Sequence, residues 1–108
     1  MSDWIRVPKA EVGHTCTITD DGHRYAIFHV GDTYYAIDDT CTHEEASLAE
    51  GTVYDDEDEP QVECPKHGAI FDIATGEVRS LPAVKSVNSY ETQVEGDMVL
   101  VAKEPRQL

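Results

Sequence analysis

Short segments with strand-like patterning, separated by turn residues, follow one another along the first third of the chain. Residues 14–19 alternate with threonine at every second position, which is the period-2 pattern of a half-buried strand. Two more strands are predicted, over 24–30 and 33–37, because these segments are rich in aromatic and β-branched residues. Turn-forming residues precede each of them, at 20–22 and 31–32. The pattern predicts a three-stranded antiparallel meander.

The rest of the chain, apart from an irregular stretch at 38–51, continues as short strands and turns. Predicted strands cover residues 52–54, 61–63, 69–73, 77–79, 84–94 and 97–103. The first two of these flank an acidic run at 55–60, which predicts a hairpin with a solvated tip, and the tail at 104–108 is expected to be loose. Since no long segment has a 3.6-residue period, the predicted fold is all-β, a small antiparallel sandwich or barrel.

Length and charge narrow the class of protein. The 108 residues fit a single domain, 1–108, and 8 Lys and Arg against 22 Asp and Glu give a formal net charge of −14. Such a surface repels nucleic acid and anionic lipid and favours a partner with a basic patch. No apolar run approaches the roughly 20 residues that cross a bilayer, and the N-terminus has no export pattern. We therefore expect a cytoplasmic protein without nucleic-acid or membrane partners, and a monomer.

Two mixed cysteine–histidine pairs stand out as candidate chemistry. Cys41 and His43 are separated by one residue, and Cys64 and His67 by two, with residues 44–63 between the pairs. An odd total of three cysteines in a chain without an export pattern argues against a disulfide framework and favours metal binding. Because the intervening stretch reads as a hairpin, the two pairs are expected on neighbouring loops. The third cysteine, Cys16, shares the apolar face of its strand and is predicted to be a buried core thiol.

Three kinds of site could use these residues. A structural zinc ion takes two cysteines and two histidines, but zinc fingers usually pair like with like and place the second pair on a helix. A cysteine nucleophile with a histidine base needs only one pair and leaves the other unexplained. A Rieske [2Fe-2S] cluster is held by two cysteines on one iron and two histidines on the other. Two loops that each supply one cysteine and one histidine suit this arrangement. The residues favour the Rieske cluster and leave zinc open.

The chain resembles the Rieske ferredoxins that serve bacterial aromatic-ring dioxygenases. The resemblance rests on the motifs around Cys41–His43 and Cys64–Gly68 and extends over nearly the whole chain. Weaker matches in the same order are Trp4, Phe71-Asp72, Thr75-Gly76-Glu77-Val78, Leu81-Pro82-Ala83, Tyr90 and Val94-Glu95-Gly96-Asp97-Met98-Val99.

The resemblance implies a base domain of antiparallel sheets with an inserted cluster-binding subdomain at about 40–73. It implies one [2Fe-2S] cluster bound by Cys41, His43, Cys64 and His67, and no catalysis by the chain itself. Proteins of this kind carry single electrons from an NAD(P)H-dependent flavin reductase to a terminal oxygenase. The alternatives are a small Rieske-like subunit of a nitrite reductase or another oxidoreductase and, from a different class, a zinc-stabilised interaction module.

Three positions depart from high-potential relatives in respiratory complexes. Those relatives cross-link the two cluster loops by a disulfide, whereas this chain has Ala46 and Lys66 in the corresponding neighbourhoods. They also follow the second motif with a serine that donates to a cluster sulfide, where this chain has Ala69. Fewer donors and an acidic surface predict a reduction potential on the order of −150 mV, at the low end of the Rieske range.

Overall fold

The structure, a computed structural model, describes residues 3–40, 47–54, 59–65, 68–80 and 86–106. Within these ranges the chain forms ten strands, one short helix and one 3₁₀ turn. In chain order they are β1 (Trp4–Pro8), α1 (Lys9–Val12), β2 (Thr15–Asp20), β3 (His23–Val30), β4 (Thr33–Asp38), the 3₁₀ turn (Leu48–Glu50), β5 (Thr52–Tyr54), β6 (Gln61–Glu63), β7 (Ile70–Asp72), β8 (Val78–Ser80), β9 (Ser89–Glu95) and β10 (Met98–Pro105). Neither helical element is long and apolar enough to cross a membrane.

The larger sheet has six antiparallel strands in the order β1-β10-β9-β4-β3-β2 and curls into a nearly closed barrel. Strands β2, β3 and β4 are consecutive neighbours, which confirms the predicted meander. Strand β4 then pairs with β9 at Ala36↔Tyr90 and Ile37↔Ser89, so the N-terminal and C-terminal parts of the chain share one sheet.

The smaller sheet has four antiparallel strands in the order β5-β6-β7-β8. Its β5–β6 pair, centred on Val53↔Val62, confirms the predicted hairpin, although residues 55–58 of the acidic run lie outside the described residues. Cys64 follows β6 directly, so this sheet carries the beginning of the second predicted ligand loop. The subdomain boundary at about 40–73 stays a prediction, while the small sheet itself extends to Ser80.

Strand β3 is the centre of the molecule because both of its faces are buried. Tyr25 and Ile27 point into a core inside the six-stranded sheet, and Ala26 and Phe28 into a second core that lies between the two sheets. Alternate side chains of this one strand therefore pack into two different cores. The second core also contains Leu48, Val62, Cys64, Ala69, Phe71 and Ile73.

Sequence expectations need correction at the start of β9, at the tail and at Cys16. The strand predicted over 84–94 begins only at Ser89, since residues 86–88 do not form a strand. The tail was predicted to be loose from residue 104, but β10 continues to Pro105, and the Arg106 N–H donates to the Ser89 carbonyl at 2.7 Å. Cys16 was predicted to be buried, but it is only half-buried at the margin of the first core, because β2 is an edge strand of the sheet. Burial and the nearby Glu11 carboxylate raise the pKa of the Cys16 thiol.

Candidate metal centre

The second predicted ligand loop begins at Cys64, immediately after β6. The Cys64 N–H donates to the Ala69 carbonyl at 2.7 Å, and the Gly68 N–H donates back to the Cys64 carbonyl at 3.1 Å. These two bonds close a six-residue loop at its base. Gly68 has φ +75°, a left-handed conformation that glycine adopts without steric cost, so the loop needs this residue at that position.

The side chain of Cys64 lies in the core between the two sheets and is only 2% exposed. It forms no disulfide among the described residues, and the neighbouring Ala69 is fully buried. A cysteine at the end of a strand, held in a loop closed by backbone hydrogen bonds and shielded from water, fits a thiolate ligand of an iron–sulfur cluster. Soft thiolate sulfur is also the donor that such clusters select.

The first predicted ligand loop has a closed stem on the larger sheet. Thr40 and Ser47 form an antiparallel bridge, and the Leu48 N–H donates to the Asp39 carbonyl at 2.7 Å. The bridge encloses residues 41–46, which lie outside the described residues and contain Cys41 and His43. Leu48 then enters the same core as Cys64, so the end of the first loop and the beginning of the second pack into one region of the molecule.

Two adjacent carboxylates, Asp38 at the end of β4 and Asp39 directly after it, have separate sets of partners. Asp39 is fully buried and pairs with Arg24 at 2.5 Å. Asp38 instead meets Tyr90, whose hydroxyl donates to Asp38 Oδ1 at 2.5 Å, and His23, whose Nε2 lies 2.8 Å from the same oxygen. Burial, followed by the hydrogen bond to Asp38, raises the pKa of the Tyr90 phenol well above its ordinary value.

Sequence reasoning overlooked Asp39, although a signal was present. Asp39 lies two residues after Ile37 and so shares the inward face of that part of the chain, where a carboxylate must find partners. The structure also shows a close approach at Gly51, where a Cβ would lie 2.2 Å from the Glu63 carbonyl oxygen.

Of the four predicted ligands, only Cys64 falls within the described residues; Cys41, His43 and His67 lie outside them. Within the described ranges, no three His, Cys, Asp or Glu side chains are arranged to hold a metal ion. The remaining histidines, at positions 14, 23 and 29, lie on or beside strands of the larger sheet. The complete ligand set therefore stays a prediction, with one member located.

The two antiparallel sheets share a core, and the loop that begins at the buried Cys64 starts from that core. Together they form a small β domain that is suited to a metal cluster. The Rieske [2Fe-2S] domain family matches residues 4–91 of this chain. Ferredoxin CarAc of Metapseudomonas resinovorans is 42% identical over 81 residues, which cover 75% of this chain and 72% of that protein. The 3-phenylpropionate/cinnamic acid dioxygenase ferredoxin subunit of Escherichia coli (strain K12) is 42% identical over 76 residues, or 70% of this chain and 69% of that one.

A similar fold occurs in a solved complex of reduced oxygenase and oxidized ferredoxin in carbazole 1,9a-dioxygenase. One chain of that complex covers 97% of this chain and is itself covered to 97%, with a TM-score of 0.85 and 35% sequence identity. This chain therefore belongs to the Rieske [2Fe-2S] domain family, and its cofactor is one Rieske-type [2Fe-2S] cluster. The family and the all-β Rieske fold expected from the sequence are confirmed.

Proposed function

We propose that this chain is the ferredoxin of an aromatic-ring oxygenase system. The observation that carries the proposal is the 42% identity, over three quarters of the chain, to Ferredoxin CarAc. The chain catalyses no reaction by itself and moves single electrons between two other proteins. It accepts them from an NAD(P)H-dependent flavin reductase and delivers them to a terminal oxygenase.

The ligands are Cys41 and Cys64 for one iron and His43 and His67 for the other. Support for this assignment comes from the buried, closed loop at Cys64 and from the stem that brings residues 40 and 47 together. Once bound, the cluster would supply reversible one-electron chemistry. Burial of Cys64 keeps its sulfur away from water, whereas histidines on loops can lie at the surface where electrons leave.

Charge supports the partner assignment. With a net charge of −14, the chain is attracted to a basic patch on a reductase or oxygenase, and encounter is accelerated by that attraction. A ferredoxin of the same fold is part of an oxygenase complex in carbazole dioxygenase. We also propose that the chain works as a monomer in the cytoplasm, the reducing compartment in which cysteines remain available as metal ligands.

Purified protein tests the proposal directly. We expect about two irons and two sulfides per chain, a red-brown colour, and the low-average-g electron paramagnetic resonance spectrum of a histidine-ligated cluster after reduction. Reduction by a flavin reductase, followed by reoxidation during turnover of a reconstituted aromatic-ring oxygenase, would support the assigned partners. Colourless protein that contains one zinc ion would contradict the proposal and support the zinc-stabilised module.

A further inference from the structure

Asp39 is a fully buried carboxylate just before the first predicted ligand loop, and both of its oxygens are engaged. Oδ1 accepts hydrogen bonds from the Ser47 hydroxyl at 2.8 Å and from the Ala49 N–H at 3.0 Å. Oδ2 accepts a hydrogen bond from the Arg24 guanidinium at 2.5 Å. One side chain therefore joins the residues after the loop to strand β3 of the larger sheet.

The backbone of Asp39 repeats this connection. Its N–H donates to the Arg24 carbonyl at 3.2 Å, and its carbonyl accepts from the Leu48 N–H at 2.7 Å. Strand β2 adds a third attachment, since the Thr15 hydroxyl donates to the Ala49 carbonyl at 2.9 Å. The stem around residues 41–46 is thus fixed to β2 and β3 of the larger sheet, whereas Cys64 follows directly from the small sheet.

The cost of burying a carboxylate indicates that Asp39 does more than fill space in the core. Moving a carboxylate out of water costs several kcal/mol even when it gains an ion pair, and a well-packed apolar side chain at such a site is often at least as stable. What a carboxylate adds is directional hydrogen bonding to several donors at once. Here the donors are Ser47 and Ala49, which follow the loop, and Arg24 on the neighbouring strand β3.

We infer that Asp39, with Arg24 as its counterion, is the positioning residue that fixes the first cluster-binding loop on the larger sheet. It acts through Cys41 and His43, so this inference rests on the proposed function, in which those residues bind iron. Because no disulfide is expected between the cluster loops, hydrogen bonds of this kind determine how firmly the loop presents its ligands.

The chain offers a matched control for this inference. Asp72 is likewise a buried carboxylate, 4% exposed, paired with Arg79 at 3.0 Å. Its Oδ1 accepts from the N–H groups of Ala74 and Thr75 at 2.8 and 3.1 Å, which holds the turn between β7 and β8. That turn contains no predicted ligand, so Asp72 has the chemistry of Asp39 without its placement.

The test compares Asp39→Asn, Ser47→Ala and Asp72→Asn with wild type, all as purified holoprotein. Two quantities are measured: the rate at which an iron chelator bleaches the visible absorption, and the g values of the reduced protein. Thermal unfolding by circular dichroism measures the stability of the fold separately. We expect Asp39→Asn to lose its cluster faster than wild type, by about the 10- to 100-fold by which removal of a supporting group weakens metal binding, and to shift the g values.

The other two variants separate positioning from stability. Ser47→Ala removes one donor to Asp39 Oδ1 and should accelerate cluster loss in the same direction but less, and it decides the matter if Asp39→Asn does not fold. Asp72→Asn should lower the unfolding temperature without changing the bleaching rate or the g values. If Asp39→Asn and Ser47→Ala both keep wild-type bleaching and g values, the inference is overturned while the proposed function stands. Wild-type protein without an iron–sulfur cluster would overturn the proposed function itself.

Discussion

Gly51 lies against the backbone of Glu63 so closely that a Cβ at position 51 would be 2.2 Å from the Glu63 carbonyl oxygen. Gly51 follows the 3₁₀ turn after the first predicted ligand loop, and Glu63 is the last residue before Cys64. The backbone of Gly51, at φ −76° and ψ 177°, is open to any residue, so the contact alone requires glycine. This contact sets the distance between the segment that follows the first predicted cluster loop and the segment that precedes the second.

Replacing Gly51 by alanine should therefore push β5 away from β6 beside the Thr52↔Glu63 pair. We expect a loss of about 1–3 kcal/mol in the free energy of unfolding, as for other overpacked sites, together with faster loss of the cluster. Urea denaturation and chelator bleaching measure the two effects.

Gly96→Ala is the control for this substitution. Gly96 has φ +60° and open space around its missing side chain, so alanine there costs about 1–2 kcal/mol of backbone strain. Because Gly96 lies in the turn between β9 and β10, bleaching of the cluster should remain at the wild-type rate. A Gly51→Ala protein that bleaches no faster than Gly96→Ala would show that the close approach does not affect the loops.

Cys64→Ser should abolish the cluster. Serine has almost the shape of cysteine and fits the buried site, but its hydroxyl is a poor substitute for a thiolate on iron. We expect protein with a folded circular dichroism spectrum and almost no visible absorption or iron. Cys16→Ser, at the half-buried cysteine, should keep both the colour and the iron of wild type. Equal iron contents in the two variants would contradict the assignment of Cys64 as a ligand.

The reduction potential should lie on the order of −150 mV, near the low end of the Rieske range. Ala69 is fully buried beside Cys64 and has no hydroxyl to offer a cluster sulfur. Ala69→Ser should therefore raise the potential, because a donor to the sulfur stabilises the added negative charge. A redox titration monitored by visible absorption measures both proteins. A strongly positive wild-type value, or a serine variant with an unchanged or lower potential, would contradict this explanation.

Local patterning predicted the strands well, and long-range contacts explain what it missed. The alternation over residues 14–37 and the pairing of β5 with β6 depend on neighbours in sequence, so they were visible without a structure. The contact of Asp39 with Arg24 spans 15 residues and links strand β3 to the residue after β4, and nothing local specifies the partner. The position of Ile37 did indicate that Asp39 faces inward. The C-terminal extension of β10 depended similarly on a distant bond, from Arg106 to Ser89.

Tyr90 should make the folded state less stable at high pH. Burial and the bond to Asp38 raise the pKa of the Tyr90 phenol, so the unfolded chain releases this proton near pH 10 while the folded chain retains it. Stability from this group is therefore complete below about pH 10 and falls above it, by up to about 1.4 kcal/mol per pH unit.

Tyr90→Phe isolates that contribution. At pH 8 the variant should be less stable than wild type by about 1.5–3 kcal/mol, since it lacks a hydrogen bond to a charged group. Between about pH 10 and 11.5, just above the ordinary pKa of a phenol, the difference in stability between the two proteins should shrink. Only wild type has a phenol at position 90 that ionises on unfolding. Urea denaturation across this range measures it. Parallel loss of stability in the two proteins would show that other groups control the alkaline response.

Electron delivery to the oxygenase should slow as salt is added. The net charge of −14 attracts a basic docking surface over distances comparable with the Debye length, which falls from about 10 Å at 0.1 M to about 3 Å at 1 M salt. Steering of this kind changes association rates by about 10- to 1,000-fold, so we expect at least about a tenfold decrease in the second-order rate constant. Stopped-flow oxidation of the reduced protein by its oxygenase measures that constant.

Sodium and potassium chloride should act equally at equal ionic strength, and an uncharged osmolyte of matched viscosity should have little effect. A rate constant that stays level or rises with salt would mean that apolar contact, rather than charge, controls the encounter.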